Sequence, residues 1–141
     1  MTNDASYRIV HPFAQMARIP QTMRPSTRSR RRQLFEEGLE VIERDYAAVD
    51  LSLRTVARTI ATSTRQRQRA FSESGGTSFR RELQRVRMER AALLLRLGSM
   101  PVSQVAAAVG YRQPAQFAKA FRRHHGRAPS AFRQDAGQLA A

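Results

Sequence analysis

Of the 25 basic residues in this 141-residue chain, only Lys119 is a lysine, and the other 24 are arginines. A guanidinium donates two parallel hydrogen bonds to a phosphate or to a guanine edge, so the chemistry on offer is polyanion binding. A GC-rich genome produces the same arginine bias, so placement says more than number. Residues 51–134 hold 17 basic residues against Glu73, Glu82 and Glu89, a balance equal to the whole net charge of +14. The binding surface is expected there. Catalytic chemistry finds little footing. The chain has no cysteine, which excludes disulfides and thiolate metal sites. The acids gather at 36–50, and nothing resembles a Ser/His/Asp or metal-ligand constellation. His124 and His125 are adjacent, so on a helix they should not face each other, and His11 lies far upstream. Gly75-Gly76 is a helix break rather than a phosphate loop, because no Gly-Lys-Ser/Thr pattern follows. No enzyme activity, cofactor or metal is expected.

The elements that must position these cations follow from patterning. The length suits one compact unit or two very small ones. With 41% hydrophobic and 26% charged residues, the chain can build a core. The first residues lack a secretory pattern, and no stretch approaches the ~18 apolar residues of a transmembrane helix. A cytoplasmic, nucleoid-associated protein with no membrane partner is expected. Residues 1–33 carry seven arginines and one acid, with Pro12, Pro20, Pro25 and the like-charge run Arg28–Arg32. They read as a flexible basic segment, either an arm along a phosphate backbone or a solvated leader. Residues 34–50 reverse the sign. Leu34, Phe35, Leu39, Val41, Ile42 and Tyr46 fall near helical spacing, which predicts an amphipathic helix whose acidic face points away from nucleic acid. That face is either an ordinary solvated surface or one offered to a protein.

An internal repeat organises the basic half. Leu53, Val56, Ala57 and Ile60 recur as Val102, Val105, Ala106 and Val109 at an offset of 49, and Phe71 recurs as Phe121 at an offset of 50. Each copy predicts a short helix, a polar turn and a second helix. Gly110 suits a tight or left-handed turn, Pro114 the first position of a helix, and Ser63 an N-cap. The predicted pairs span about 52–74 and 102–124. Between them, Gly75-Gly76 and Gly98 bracket a linker helix at about 78–97, carrying Phe79, Leu83, Val86, Leu94 and Leu97 among six arginines. Such a helix is about 30 Å long, and successive major grooves on one face of B-DNA are about 34 Å apart. Two short helices around a tight turn, the second bearing Arg and Gln, make the helix-turn-helix design.

Residues 102–133, V-S-Q-V-A-A-A-V-G-Y-R-Q-P-A-Q-F-A-K-A-F-R-R-H-H-G-R-A-P-S-A-F-R, closely resemble the signature of the AraC/XylS family of transcription regulators. Leu83, Arg87, Glu89, Arg90, Ala91 and Leu94 resemble its linker helix, and the likeness covers about 100 residues. The resemblance implies an all-α, bilobed, seven-helix domain over 34–135, with 136–141 as a tail. It implies a sequence-specific regulator that places two recognition helices in adjacent major grooves of promoter DNA. With about 33 residues ahead of the domain, the chain resembles the short, single-domain members that bind as monomers. Family habit favours activation and contact with RNA polymerase. Carried over by position, Arg65, Gln68 and Arg69 are expected on base edges from the first reading helix. Their spacing puts them on one face. Ala115, Gln116 and Lys119 are the matching positions of the second, a set with fewer multidentate readers, so more shape recognition is expected there. Arg80, Arg81, Arg112, Arg122 and Arg123 are the expected phosphate contacts. The alternatives are a non-specific architectural DNA protein and a module that engages RNA polymerase or a related regulator.

One position departs from the family. A large apolar residue is usual where this chain has Arg67, and the repeat pairs residue 67 with Phe117. Ser63, Arg67 and Phe71 lie four apart, so Arg67 is expected to face inward. An unpaired buried charge costs several kcal/mol, so Arg67→Leu is expected to raise the melting temperature. The competing expectation is that Arg67 snorkels to water, or pairs with Glu73 or a phosphate.

Overall fold

The computed structural model describes residues 26–59 and 62–140. These hold seven helices and no strand: α1 (Thr27–Asp45), α2 (Leu53–Thr59), α3 (Thr64–Gly75), α4 (Phe79–Leu97), α5 (Val102–Ala108), α6 (Pro114–His125) and α7 (Pro129–Ala140). The all-α expectation and the two helix pairs around a long connecting helix are borne out. The expectations for residues 1–25, including His11, and the place of Ile60 in the repeat lie outside the described residues.

Two buried clusters define two lobes, and α4 is shared between them. In lobe 1, Val41 and Ile42 of α1, Val56 of α2 and Phe71 of α3 pack on Phe79, Leu83 and Val86. In lobe 2, Val105, Ala106, Val109, Phe117, Ala120 and Phe121 pack on Met88, Ala91, Ala92 and Leu95. The first half of α4 therefore serves one core and the second half the other. Leu97, grouped with the apolar positions of this helix from sequence, is instead 77% exposed. Its place in the core is taken by Leu95, because the buried stripe turns with the 3.6-residue period once α4 passes from one lobe to the other.

The repeat reappears in three dimensions. Helices α2 and α5 are each seven residues long, and α3 and α6 are each twelve. Gly76 and Gly126 end the two longer helices in the left-handed conformation, and α4 and α7 begin three residues later in each copy. The local signals act as their chemistry dictates. Ser63 adopts an extended backbone and its hydroxyl accepts the Gln66 N–H at 3.1 Å, a cap worth about 1 kcal/mol. Pro114 occupies the start of α6, where its missing N–H costs nothing. Gly110, at φ +91°, reverses the chain between α5 and α6.

Three boundaries differ from those expected. Helix α1 begins at Thr27, so the Arg28–Arg32 run is helical rather than part of a flexible leader. Glu36 sits one turn from Arg32 and bonds it at 3.2 Å, and Arg31 pairs with Glu73, which offsets the like-charge repulsion. Helix α1 ends at Asp45, so Tyr46–Asp50 belong to the connection to α2. Residues 136–140 are not a tail but the last turns of α7. That helix is held by Phe132 against Phe121, by Arg133 on the Met100 carbonyl, and by Arg127 on Asp135.

Candidate nucleic-acid interface

Each second helix of a pair is fixed by an aromatic anchor and turns its polar face outward. Phe71 of α3 is 1% exposed and meets the rings of Phe35 and Phe79 edge-on at 5.0 and 5.6 Å. Its ring also lies over Gly38, where a Cβ would come within 2.6 Å, so the glycine is what lets α1 and α3 approach. Phe117 and Phe121 anchor α6 among Tyr111, Phe132 and His125. With residues 67, 70 and 71 inward on α3, Arg65, Gln68 and Arg69 are left exposed together on the opposite side. With 117, 120 and 121 inward on α6, Ala115, Gln116 and Lys119 are exposed in the same way. Gln66, at the open end of α3, is exposed beside them.

Two groups of cations stand apart. One group is engaged within the fold. Arg85 bonds Glu82 and Glu89, the second at 2.9 Å, and the Glu89 bond is the main reason its pKa is raised. Arg90 pairs with Glu43 at 3.2 Å, Arg127 with Asp135, and Arg133 holds backbone carbonyls. The other group comprises Arg65, Arg69, Arg80, Arg81, Arg112, Lys119, Arg122 and Arg123. All are exposed and, among the described residues, none makes an ion pair. Every cation expected at the interface from sequence falls in this second group. The first turns of α3 and α6 contain no acid, so nothing there offsets the positive end of the helix dipole. Arg80 and Arg81 stand at the start of α4, where Ser78 caps the helix by accepting the Arg81 N–H at 3.1 Å. Arg80 lies near enough to Tyr111 to oppose the rise in that phenol's pKa, which burial causes.

Arg67 does not snorkel. It is fully buried, donates from Nε to Thr62 Oγ1 at 2.8 Å, and places Nη2 3.6 Å from the Glu37 carboxylate. The expected partner Glu73 is taken by Arg31 instead. Inward register at residue 67 was legible in the repeat. Its partner was not, because Glu37 lies thirty residues away on α1. Two acids of the α1 surface are spent on cross-links to other helices, Glu37 on Arg67 and Glu43 on Arg90, and Glu36 pairs with Arg32 within α1.

His124 and His125 are structural in setting. His125 Nε2 lies 3.0 Å from the Met88 carbonyl and its ring packs on Phe121 and Phe132. The His124 and His125 rings lie edge to face at 4.7 Å, contrary to the expectation that neighbours on a helix point apart. At the last turn of α6 the side-chain torsions bring them together. Burial, and then the charge of His125, lower the His124 pKa. Among the described residues no group of three His, Cys, Asp or Glu side chains can hold a metal, and no helix is long and apolar enough to cross a membrane.

Comparison with known proteins agrees with this geometry. Residues 56–135 match a helix-turn-helix domain family. The chain is 31% identical over 101 residues to the HTH-type transcriptional regulator GlxA of Rhizobium meliloti, covering 70% of this chain and 31% of that protein. It spans about a third of the length of the curated relatives it matches. Among solved structures, the C-terminal domain of AraT, a response regulator from Geobacillus stearothermophilus, is 29% identical with a TM-score of 0.71, covering 72% of this chain and 84% of that one. The DNA-binding domain of AdpA, a global transcriptional factor solved in complex with a target DNA, is 27% identical with a TM-score of 0.65, over 72% and 90% of the two chains. Family and fold are those of transcriptional regulators rather than enzymes. The chain belongs to the AraC-type helix-turn-helix family of DNA-binding transcription regulators.

Proposed function

We propose that this protein reads an asymmetric promoter site as a monomer, with α3 in one major groove and α6 in the next. The observation that carries this reading is where the outward cations stand: Arg65 and Arg69 on α3, Lys119, Arg122 and Arg123 on α6, and Arg80 and Arg81 at the start of α4 are exposed and make no ion pair among the described residues, while Arg85, Arg90, Arg127 and Arg133 are tied into the fold. Two reading helices on one chain make a second copy unnecessary. Arg65 and Arg69 are assigned to guanine edges and Gln68 to adenine, the pairings their donor geometry favours. Ala115, Gln116 and Lys119 offer fewer two-pronged contacts, so lobe 2 relies more on groove shape. Arg80, Arg81, Arg112, Arg122 and Arg123 grip phosphates and fix the register. The protein acts in the cytoplasm, on the nucleoid. AdpA in complex with its target DNA supports the mode of binding by likeness.

The regulator acts as an activator that touches RNA polymerase. An open groove between α1 and α2, lined by Val41, Leu51 and Val56 with Glu40, Asp45 and Asp50 around it, supports a protein contact on lobe 1. Its charge is opposite to that of the reading helices. Arg65→Ala tests the DNA reading: affinity for the cognate duplex should fall by about 1–3 kcal/mol, with discrimination lost at one base pair of one half-site. An equal loss on every sequence would reduce Arg65 to a phosphate contact.

A further inference from the structure

The seam between the two lobes converges on one side chain, Arg87 of α4. Its Nε donates to the Tyr46 carbonyl and its Nη2 to the Ala48 carbonyl, each at 2.8 Å. Both acceptors belong to the α1–α2 connection of lobe 1. The same guanidinium lies 5.7 Å from the centre of the Tyr111 ring, in the α5–α6 turn of lobe 2. Gly110 closes the junction from that side. A Cβ on this residue would lie 2.8 Å from Arg87 Nη2 and 2.9 Å from the Tyr46 oxygen. A carbonyl of lobe 1, a cation of the shared helix and the turn of lobe 2 therefore meet at one point.

The surroundings reinforce the junction. The Tyr46 ring packs against both cores and carries the Arg90 guanidinium 5.6 Å from its centre. Arg90 is itself held by Glu43. Burial lowers the pKa of Arg87, but arginine keeps its proton in proteins. A charged, planar fork bonded to two carbonyls has little rotational freedom. Without it, the lobes would be joined by α4 and the packing of the Tyr46 ring, and apolar packing lacks the directional bonds that fix their relative twist.

We infer that Arg87 is a positioning residue that fixes the separation and angle between α3 and α6, and so sets the number of base pairs between the two half-sites. This rests on the two-groove reading proposed above. One base pair added between half-sites turns the second by about a tenth of a helical turn. A rigid seam converts that turn into lost binding, because simultaneous engagement fails when the geometry forbids it.

The test uses the full chain and a series of duplexes in which the two half-sites are separated in steps of one base pair. The wild type should favour its best spacing about tenfold or more over its neighbours. In Arg87→Met, which keeps the stem and removes the donors, that preference should shrink to about threefold or less. Affinity for either isolated half-site should stay within about twofold of the wild type. Arg87→Lys, which can reach one carbonyl at a time, should fall between. The same sharp spacing peak in Arg87→Met would overturn the inference. So would an equal loss at every spacing and on isolated half-sites, which would mark Arg87 as a support of lobe stability alone. A wild-type chain with no spacing preference would overturn the two-groove reading, and this inference with it.

Discussion

Replacing Glu37 with alanine leaves the buried Arg67 charge without its carboxylate. Arg67 is 0% exposed, and its Nη2 stands 3.6 Å from a Glu37 side chain that is itself 35% exposed. At that distance and an effective dielectric of about 20, the attraction is about 4–5 kcal/mol. Removing one partner of a fully buried pair costs about 3–5 kcal/mol. Glu37 is open to water on one side, so screening and partial hydration reduce the loss to about 2–3 kcal/mol. In a domain of about 100 residues that corresponds to a fall of about 8–20 °C in melting temperature. Arg67→Leu behaves differently. It removes the buried charge and leaves Glu37 free to turn to solvent, so stability should stay within about 1 kcal/mol of the wild type. The rise in melting temperature expected from sequence does not follow from the structure, because the buried charge faces Glu37 and Thr62. Thermal denaturation of the wild type, both single variants and the double variant closes the cycle. In the Arg67→Leu background, Glu37→Ala should cost under about 0.5 kcal/mol. An equal cost of Glu37→Ala in both backgrounds would refute the reasoning, since the pair would then contribute nothing.

Three further outcomes follow from the geometry. Arg122→Ala and Arg123→Ala should weaken binding uniformly across sequences, and each should reduce the slope of log affinity against log salt by about one. Gly110→Ala should destabilise by about 1–3 kcal/mol, because an L side chain resists φ +91° and its Cβ meets both Arg87 and the Tyr46 carbonyl; urea denaturation reads this. His124 has its pKa lowered in the folded chain, so the unfolded chain binds the proton more readily. Its contribution is present above its ordinary pKa of about 6.5 and lost as pH falls through that range. Thermal melts from pH 5 to 8 should show the rise with pH, and His124→Gln should flatten it.

Much of this fold was legible in the sequence because it is written twice. Val56 and Val105, Ala57 and Ala106, Phe71 and Phe121 share register and burial, so two weak patterns supported each other. Gly110, Pro114 and Ser63 act locally and were read correctly from local chemistry. The same repeat carried an unread signal: Gly126 mirrors Gly76, and α7 starts where α4 starts in the other copy. What escaped depends on contacts between distant residues. The Arg28–Arg32 run looks like a solvated tail until Glu73 of α3 is brought beside Arg31. The Glu37–Arg67 pair joins α1 to α3 across thirty positions. Arg87 appears in sequence as one more cation on the linker helix, and its role emerges only where Tyr46 and Gly110 converge. At the interface itself, helical spacing placed Arg65, Gln68 and Arg69 together. No pattern in one chain distinguishes a base contact from a phosphate contact, because the same guanidinium serves both.

The decisive measurement is selection of binding sites from a random duplex library with this 141-residue chain at about 0.15 M salt. A two-groove reader should enrich an asymmetric two-part motif with its halves about 10–10.5 base pairs apart. The half read by α3 should show a sharper sequence requirement than the half read by α6. Failure to enrich any motif, with retention falling steeply as salt rises, would contradict the two-groove reading. The electrostatic attraction of a +14 chain would then account for binding by itself, as in an architectural DNA protein.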